Sequence, residues 1–191
     1  QIADYVVEYR NTKLAVVKAK AWDVALTEGV EQAKTYAGRM AVRYTYATNG
    51  QGIYAIDMET GKEGEIAAYP TPDELWGMTF AVANVWRDRF ATVPFPDKGS
   101  DWKIRFYQEI AVNRVLERIS NKANRILLTL ATGTGKTSIA FQLSWKLYQT
   151  RWNLKEWNTC DTPPTRRPRI LFLADRNTLA TQAYNDFTSF A

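Results

Sequence analysis

Histidine is missing from all 191 residues. That absence excludes His-based triads, His general bases and most zinc centres. Cysteine occurs once, at Cys160, so no internal disulfide can form. No apolar run approaches the roughly 20 residues of a membrane span. No secretory-signal pattern opens the sequence. It begins at Gln1 and reads as strand by Tyr5, so the natural N-terminus is expected to lie further upstream. Hydrophobic residues at 46% and charged residues at 24% are ordinary for a globular protein, and the length allows one or two domains with a core each. These features suit a soluble intracellular enzyme fragment.

The most informative stretch is Leu127-Leu-Thr-Leu-Ala-Thr-Gly-Thr-Gly-Lys-Thr-Ser138. The apolar run Ile126–Leu130 predicts a buried strand, Gly133-Thr134-Gly135 a turn, and Ile139, Ala140, Leu143 and Leu147 a helix that starts at Lys136. Strand, glycine turn and helix in that order make a phosphate-binding loop. Glycine lets backbone N–H groups close around a triphosphate, and the helix N-terminus adds the positive end of its dipole. The expected binding residues are Thr132, Gly133, Thr134, Gly135, Lys136 and Thr137, with Lys136 on phosphate charge and Thr137 on Mg²⁺. The strict pattern has glycine six positions before Lys136, where Leu130 stands; helicase-type loops relax that glycine. The bland alternative is a Gly/Thr turn that caps a helix.

Charge is unevenly spread. Residues 1–100 carry 11 Lys/Arg against 13 Asp/Glu, net −2, and residues 101–191 carry 14 against 7, net +7. A basic half that holds a phosphate loop suggests a polyanionic track, although charge alone equally fits a generic basic surface.

Pro94, Pro96, Gly99 and Ser100 mark a connector, which divides the chain into 1–95 and 96–191. In the first part, Tyr5–Tyr9 and Leu14–Lys18 predict adjacent strands joined by a turn at Arg10–Lys13. Thr27 is the expected cap of a helix from Glu28 to about Gly38. Val42–Ala47 and Gly52–Asp57 predict strands about an Asn49-Gly50 turn, with another turn at Thr60-Gly61. Pro70-Thr-Pro-Asp-Glu-Leu75 looks like a cap and helix start. In the second part, Trp102–Asn121 has helical spacing, 149–169 is a polar loop containing Pro and Arg, and Arg169–Ala174 predicts a second buried strand.

Three motifs in sequence order produce a resemblance. Arg105-Phe-Tyr-Gln108 precedes the phosphate loop, and Leu171-Phe-Leu-Ala-Asp-Arg176 follows it, with Leu179 and Gln182. The order resembles the opening motifs of superfamily 2 helicases and translocases. The resemblance implies that Gln108 reads the adenine edge, which an amide can do as both donor and acceptor, and that Arg176 touches the nucleic-acid backbone.

The first part resembles a PD-(D/E)xK nuclease core, in which two carboxylates hold Mg²⁺ and a lysine stands beside the attacking water. Asp4, at the opening of the first strand, and Lys18 and Lys20 on the second match that site in order, and strand alternation puts both lysines on one face. Gln32-Ala-Lys-Thr-Tyr36 matches a Gln-x-x-x-Tyr signature whose spacing puts Gln32 and Tyr36 on one helix face. The whole order is similar to the restriction (motor and nuclease) subunit of type I restriction endonucleases.

That resemblance implies an α/β fold: a PD-(D/E)xK nuclease-like mixed sheet with helices, then the start of a RecA-like P-loop parallel-sheet motor. It implies ATP and Mg²⁺ as cofactors, with Asp4 and Thr137 as metal ligands. Expected partners are double-stranded DNA and the specificity and modification (methyltransferase) subunits, in the bacterial cytoplasm, with no membrane. One departure limits it: the expected Glu-x-Lys reads Lys18-Ala19-Lys20. A protonated lysine repels Mg²⁺, and Glu8 lies about 13 Å along an extended strand, too far to substitute for the missing carboxylate. The resemblance also places the motor's water-polarising Asp-Glu pair and its second lobe beyond Ala191. The rival readings are a helicase fragment with a non-catalytic nucleic-acid-binding N-terminal module, which Lys18 supports, and a kinase or GTPase-like P-loop domain, which Gln108 opposes.

Overall fold

The computed structural model describes residues 3–96, 104–158, 162–174 and 177–188, and its contacts divide the chain into two compact units, Gln1–Ala83 and Asn84–Ala191.

The first unit is built on a five-stranded sheet in the order β1 (Tyr5–Tyr9), β2 (Thr12–Ala19), β3 (Tyr44–Thr48), β4 (Ile53–Asp57), β5 (Glu63–Ile66). Only β2 and β3 run parallel. Arg10 and Asn11 both have positive φ, 50° and 53°, so two residues close the β1–β2 hairpin with the twist that antiparallel strands need. The turn is therefore tighter than the expected Arg10–Lys13. A parallel pair requires a crossover, and α1 (Val30–Met40) supplies it.

α1 covers one sheet face. Val16 meets Tyr36, Ala37 and Val42, while Ala47 and Ile56 meet Val30. Thr45 Oγ1, fully buried, donates to Val16 O at 3.0 Å and lies 3.3 Å from Ala33 O on the helix. Thr27 does not cap this helix. Residues Leu26–Gly29 wind as a 3-10 turn and Gly29 is the N-cap, with no side-chain cap bond. The reason is space: a Cβ on Gly29 would meet Ala47 Cβ at 3.3 Å, Lys18 Cγ at 3.4 Å and Lys20 Cγ at 3.5 Å. A glycine brings the start of α1 down onto the strands.

α2 (Pro72–Thr79) opens on a capping box: Thr71 Oγ1 accepts from Glu74 N and Glu74 accepts from Thr71 N. Strand β5 went unforeseen because Glu63-Gly-Glu-Ile66 has no apolar alternation to betray it; pairing with β4 makes it a strand.

The second unit is helical among its described residues. α3 (Val85–Thr92), α4 (Phe106–Ser120) and α5 (Lys136–Gln149) meet in one cluster of Trp86, Phe90, Ala111, Val112, Leu116, Ile139 and Trp157. α6 (Asn177–Thr188) follows, and its Phe187 ring lies 5.1 Å from Phe141 on α5. Asn84 caps α3 by accepting from Trp86 N and Arg87 N, and Arg87 joins α3 to α4 through a two-pronged pair with Glu117 at 2.6 and 2.7 Å. Because Trp86 and Phe90 belong to this cluster, α3 goes with the second unit, and the division falls at 83/84, ahead of the expected 95/96.

The parallel sheet expected in this half is not formed among the described residues. Residues 126–130 and 170–174 carry no ladder bonds, and Leu127, Leu171 and Leu173 are 91%, 82% and 81% exposed. A parallel strand depends on neighbours at its edges and helices on its faces, and neither run has a paired neighbour here. Leu130 packs against the Trp86–Ile139 cluster, and the Phe172 ring lies 6.2 Å from that of Phe187.

One polar pair in the first unit is testable. Arg43 forks onto Asp57 at 3.0 and 2.8 Å across β3 and β4, and both side chains are largely buried. The guanidinium holds the Asp57 carboxyl well below the usual carboxylate range. A lowered carboxyl pKa contributes stability above the unfolded value of 3.8 and loses it as pH falls toward the folded one. Asp57→Asn is expected to cost about 2 kcal/mol at neutral pH, and less in acid. Urea midpoints of both proteins at neutral and acid pH check this; a cost that does not shrink in acid contradicts it.

Candidate functional site

Two constellations hold the expected site residues, one in each unit.

In the first unit, the β1–β2 register pairs Tyr5 with Val17 and so brings Asp4 beside Lys18. Lys18 Nζ donates to Asp4 Oδ2 at 2.7 Å, and Ala19 N donates to the same oxygen at 2.8 Å. The Lys18 side chain is 16% exposed and Asp4 is 32% exposed. The Lys18 hydrogen bond is the largest influence on Asp4 and lowers its pKa; burial opposes it, and the Ala19 amide and the charges of Lys18 and Lys20 add to the lowering. Lys18 pairs with Ala47 on β3, and both Lys18 and Lys20 lie alongside Gly29, so the two lysines share the face under the start of α1, as strand alternation requires.

Of the helix pair, Gln32 is half-buried on α1, and Tyr36 is buried among Ala3, Val16, Ala37 and Val42. Tyr36 is thus a core residue of the fold in this structure.

Do these groups suit a divalent ion? Mg²⁺ needs near-octahedral oxygen ligation with carboxylates to offset its charge. Asp4 gives one carboxylate, and an ammonium already sits on it. Among the described residues, no three of His, Cys, Asp and Glu gather. The site as it stands does not fit the metal.

In the second unit, the loop before α5 turns on two glycines. Gly133 and Gly135 have φ of 76° and 78°, the left-handed region, and Gly135 is the N-cap of α5. Thr134 Oγ1 donates to Ala131 O at 2.7 Å, and Lys136 Nζ donates to the same carbonyl at 3.1 Å. Lys136 is therefore folded back over its own loop. Its ammonium is exposed, and a phosphate oxygen can take the place of a single carbonyl partner. Thr132 is exposed and Thr137 half-buried on the first turn of α5.

Gln108 is 7% exposed on the first turn of α4 and reaches this loop. Its Oε1 accepts from Arg105 N at 3.0 Å and its Nε2 donates to Thr134 O at 2.9 Å. Both ends of the amide are thus bonded within the protein, and Gln108 is a strut between α4 and the loop. Tyr107, which the sequence reading passed over, joins the same carbonyl: its hydroxyl donates to Thr134 O at 3.4 Å and accepts from Arg105 Nη1 at 3.1 Å. Its place beside Gln108 was the only signal. Arg176 lies outside the described residues, as do the side chains of Leu179 and Gln182.

Fold and sites together define a chain with a mixed-sheet unit that carries an acid–lysine cluster and a helical unit whose α5 opens on a glycine turn. Comparison with known proteins narrows that class. Residues 101–191 match the family described as "Type III restriction enzyme, res subunit". The chain is 37% identical to the type I restriction enzyme EcoAI endonuclease subunit of Escherichia coli, over 98% of this chain and 23% of that protein. It is 31% identical to the EcoKI endonuclease subunit of Escherichia coli K12, over 78% of this chain and 12% of that protein. A solved fragment assigned as an HsdR subunit of a type I restriction enzyme from Vibrio vulnificus YJ016 superposes with a TM-score of 0.77 at 39% identity, over 93% of this chain and 33% of that one. The chain belongs to the family of type I restriction-enzyme endonuclease (HsdR) subunits. It spans about a quarter of the length of the EcoAI relative. No helix among the described residues is long and apolar enough to cross a membrane.

The strut generates a prediction. A Cβ on Gly135 would come within 2.5 Å of Gln108 Nε2, at a φ that side chains rarely adopt. Gly135→Ala is expected to break the Gln108–Thr134 bond and to cost about 1–3 kcal/mol locally. Amide hydrogen exchange should rise at residues 131–138 while the first unit stays protected; unchanged exchange in the loop contradicts the strut.

Proposed function

We propose that this chain is part of the ATP-dependent DNA-translocating subunit of a type I restriction-modification complex, with a nuclease site that Lys18 disables. The observation that carries the motor half is the loop: two left-handed glycines at the N-terminus of α5, braced from α4 by Gln108. Its residues fit a Mg²⁺-bound triphosphate. Backbone N–H groups from Gly133 to Thr137 lie at the positive end of a 14-residue helix. Lys136 exchanges Ala131 O for β- and γ-phosphate oxygens. The Thr137 hydroxyl is the Mg²⁺ ligand this chain supplies. Gln108 reads adenine by exchanging one of its two present partners, Arg105 N or Thr134 O, for the base edge. The Mg²⁺-bound triphosphate, when present, supplies the energy-releasing phosphoryl bond. What these residues do is bind and orient it. Arg176 is assigned to the DNA backbone by its motif. Double-stranded DNA, the specificity and modification subunits and a cytoplasmic setting follow from the same reading. Lys136→Ala is expected to weaken ATP binding at least tenfold, with adenine preferred over guanine in the parent protein. Calorimetry on the full-length subunit decides it, and equal ATP affinity in both proteins sinks the assignment.

The nuclease half rests on the Lys18–Asp4 pair. Exchanging a carboxylate for an ammonium changes the local charge by two units and puts a cation of the protein on the one remaining metal ligand. Strand cleavage is therefore expected to be severely depressed while fold and ATP binding survive. Lys18→Glu in the full-length subunit, assembled with its partners, should restore Mg²⁺-dependent double-strand cleavage, and Asp4→Ala should abolish what was restored. Vigorous cutting by the unaltered protein that survives Asp4→Ala places the chemistry elsewhere.

A further inference from the structure

Between α5 and residue 170 lies a segment that the phosphate loop does not use. Residues 151–169 contain five cations, Arg151, Lys155, Arg166, Arg167 and Arg169, against Glu156 and Asp161. All five cations are exposed, and none makes an ion pair among the described residues.

A basic run is commonly a loose, solvated face. This one is pinned. Glu156 turns inward to its own loop: it accepts from Thr165 N at 2.9 Å, Thr165 Oγ1 at 2.6 Å and Arg166 N at 3.5 Å. Asn153 Nδ2 donates to Arg166 O at 3.1 Å. Thr165 and Asn153 hold the Glu156 carboxyl down to about 2, so the clamp stays ionised at neutral pH. Trp157 is buried in the helical core and its carbonyl accepts from Trp86 Nε1 at 3.0 Å, which fastens the loop from below. Arg167 lies 4.0 Å over the Tyr148 ring. Pro163, Pro164 and Pro168 each fix φ and remove freedom from the stretch that carries the arginines.

The one acidic side chain described in the segment is thus spent on Asn153, Thr165 and the Arg166 amide, and the backbone that carries the exposed arginines is fixed at Thr165 and Arg166 before any partner arrives. Such preorganisation lowers the ordering cost of binding. Guanidinium groups in a row suit bidentate contact with phosphate oxygens.

We propose that residues 162–169, clamped at Thr165 and Arg166 by Glu156 and Asn153, are a preformed docking surface for the phosphate backbone of duplex DNA, with Arg166, Arg167 and Arg169 as its main contacts. The inference rests on the motor reading above but concerns a surface separate from the nucleotide loop. An acidic protein partner is the competing occupant, and the test separates the two.

The experiment uses the full-length subunit and a duplex of random sequence, with affinity read by fluorescence anisotropy across a salt series. Replacing all three arginines (R166Q, R167Q and R169Q together) is expected to lower duplex affinity at least tenfold and to reduce the slope of log K against log salt by about 2–3, the release expected from three phosphates. ATP affinity should not change. Glu156→Ala is the discriminating variant. It adds net positive charge, so a merely electrostatic surface would bind DNA more tightly, whereas a preformed one binds several-fold more weakly. Unchanged affinity and slope in the triple variant, or tighter binding by Glu156→Ala, overturns the proposal. Retained duplex affinity with lost assembly of the partner subunits also overturns it, and assigns the loop to protein docking. If the unaltered subunit binds neither ATP nor duplex, the motor reading itself falls; if it binds both and the variants do likewise, only the loop assignment falls.

Discussion

The mutual burial of Trp86, Val112 and Ile139 is the constraint on which the polar parts of the second unit depend. Each residue comes from a different helix, so the contact fixes α3, α4 and α5 together. Fully burying side chains of this size contributes about 1.5–3 kcal/mol apiece. Three polar features hang from that cluster. The start of α4 is placed so that Gln108 and Tyr107 reach Thr134 O. The start of α5 opens on Gly135. Residues 151–158 are fastened through Trp157, which is a member of the cluster and whose carbonyl accepts from the Trp86 indole N–H. Lys146 belongs to the same logic: it is buried on α5, it donates to the carbonyls of Phe90 and Val93, and burial pulls its pKa down to about 8. It satisfies the end of α3 from within, where no water can.

The first unit resolves a different conflict. Two lysines sit beneath the start of α1, where the helix dipole is positive. Such a placement is unfavourable unless something negative lies nearby. Asp4 is that group, held by the hairpin register and by the Ala19 amide. The carboxylate that a metal would use instead balances the chain's own cation. Asp4 thus offsets one of the two cations beneath α1, Lys18, through the chain's own ion pair.

Much of this was legible in the sequence. The strand-type runs Tyr5–Tyr9 and Leu14–Lys18 about a short turn announced the hairpin, Thr71 with Glu74 announced a capped helix, and Gly133-Thr-Gly-Lys136 announced the glycine turn before α5. The family resemblance grouped Asp4 with Lys18 and Lys20, and the hairpin register is what brings Asp4 onto Lys18. What stayed hidden was tertiary. β5 is a strand only because β4 is next to it. α3 belongs with the second unit because of what Trp86 and Phe90 touch, while the prolines near residue 95 gave the more obvious punctuation. Gly29 rather than Thr27 begins α1, because the spacing to Ala47 decides, and spacing across a fold is not written in local preference. Tyr36 shared a helical signature with Gln32, yet periodicity cannot distinguish a side chain that faces a site from one that fills a core.

The exposed runs at 126–130 and 170–174 have a consequence for how this polypeptide behaves in bulk. Each is rich in apolar residues, carries no Pro and belongs to no sheet ladder. Apolar, Pro-free runs of this kind are the segments on which chains associate when they stay uncovered. Of the two exposed runs, 126–130 leads directly into the glycine turn before α5, so the chain's apolar exposure and its glycine loop adjoin.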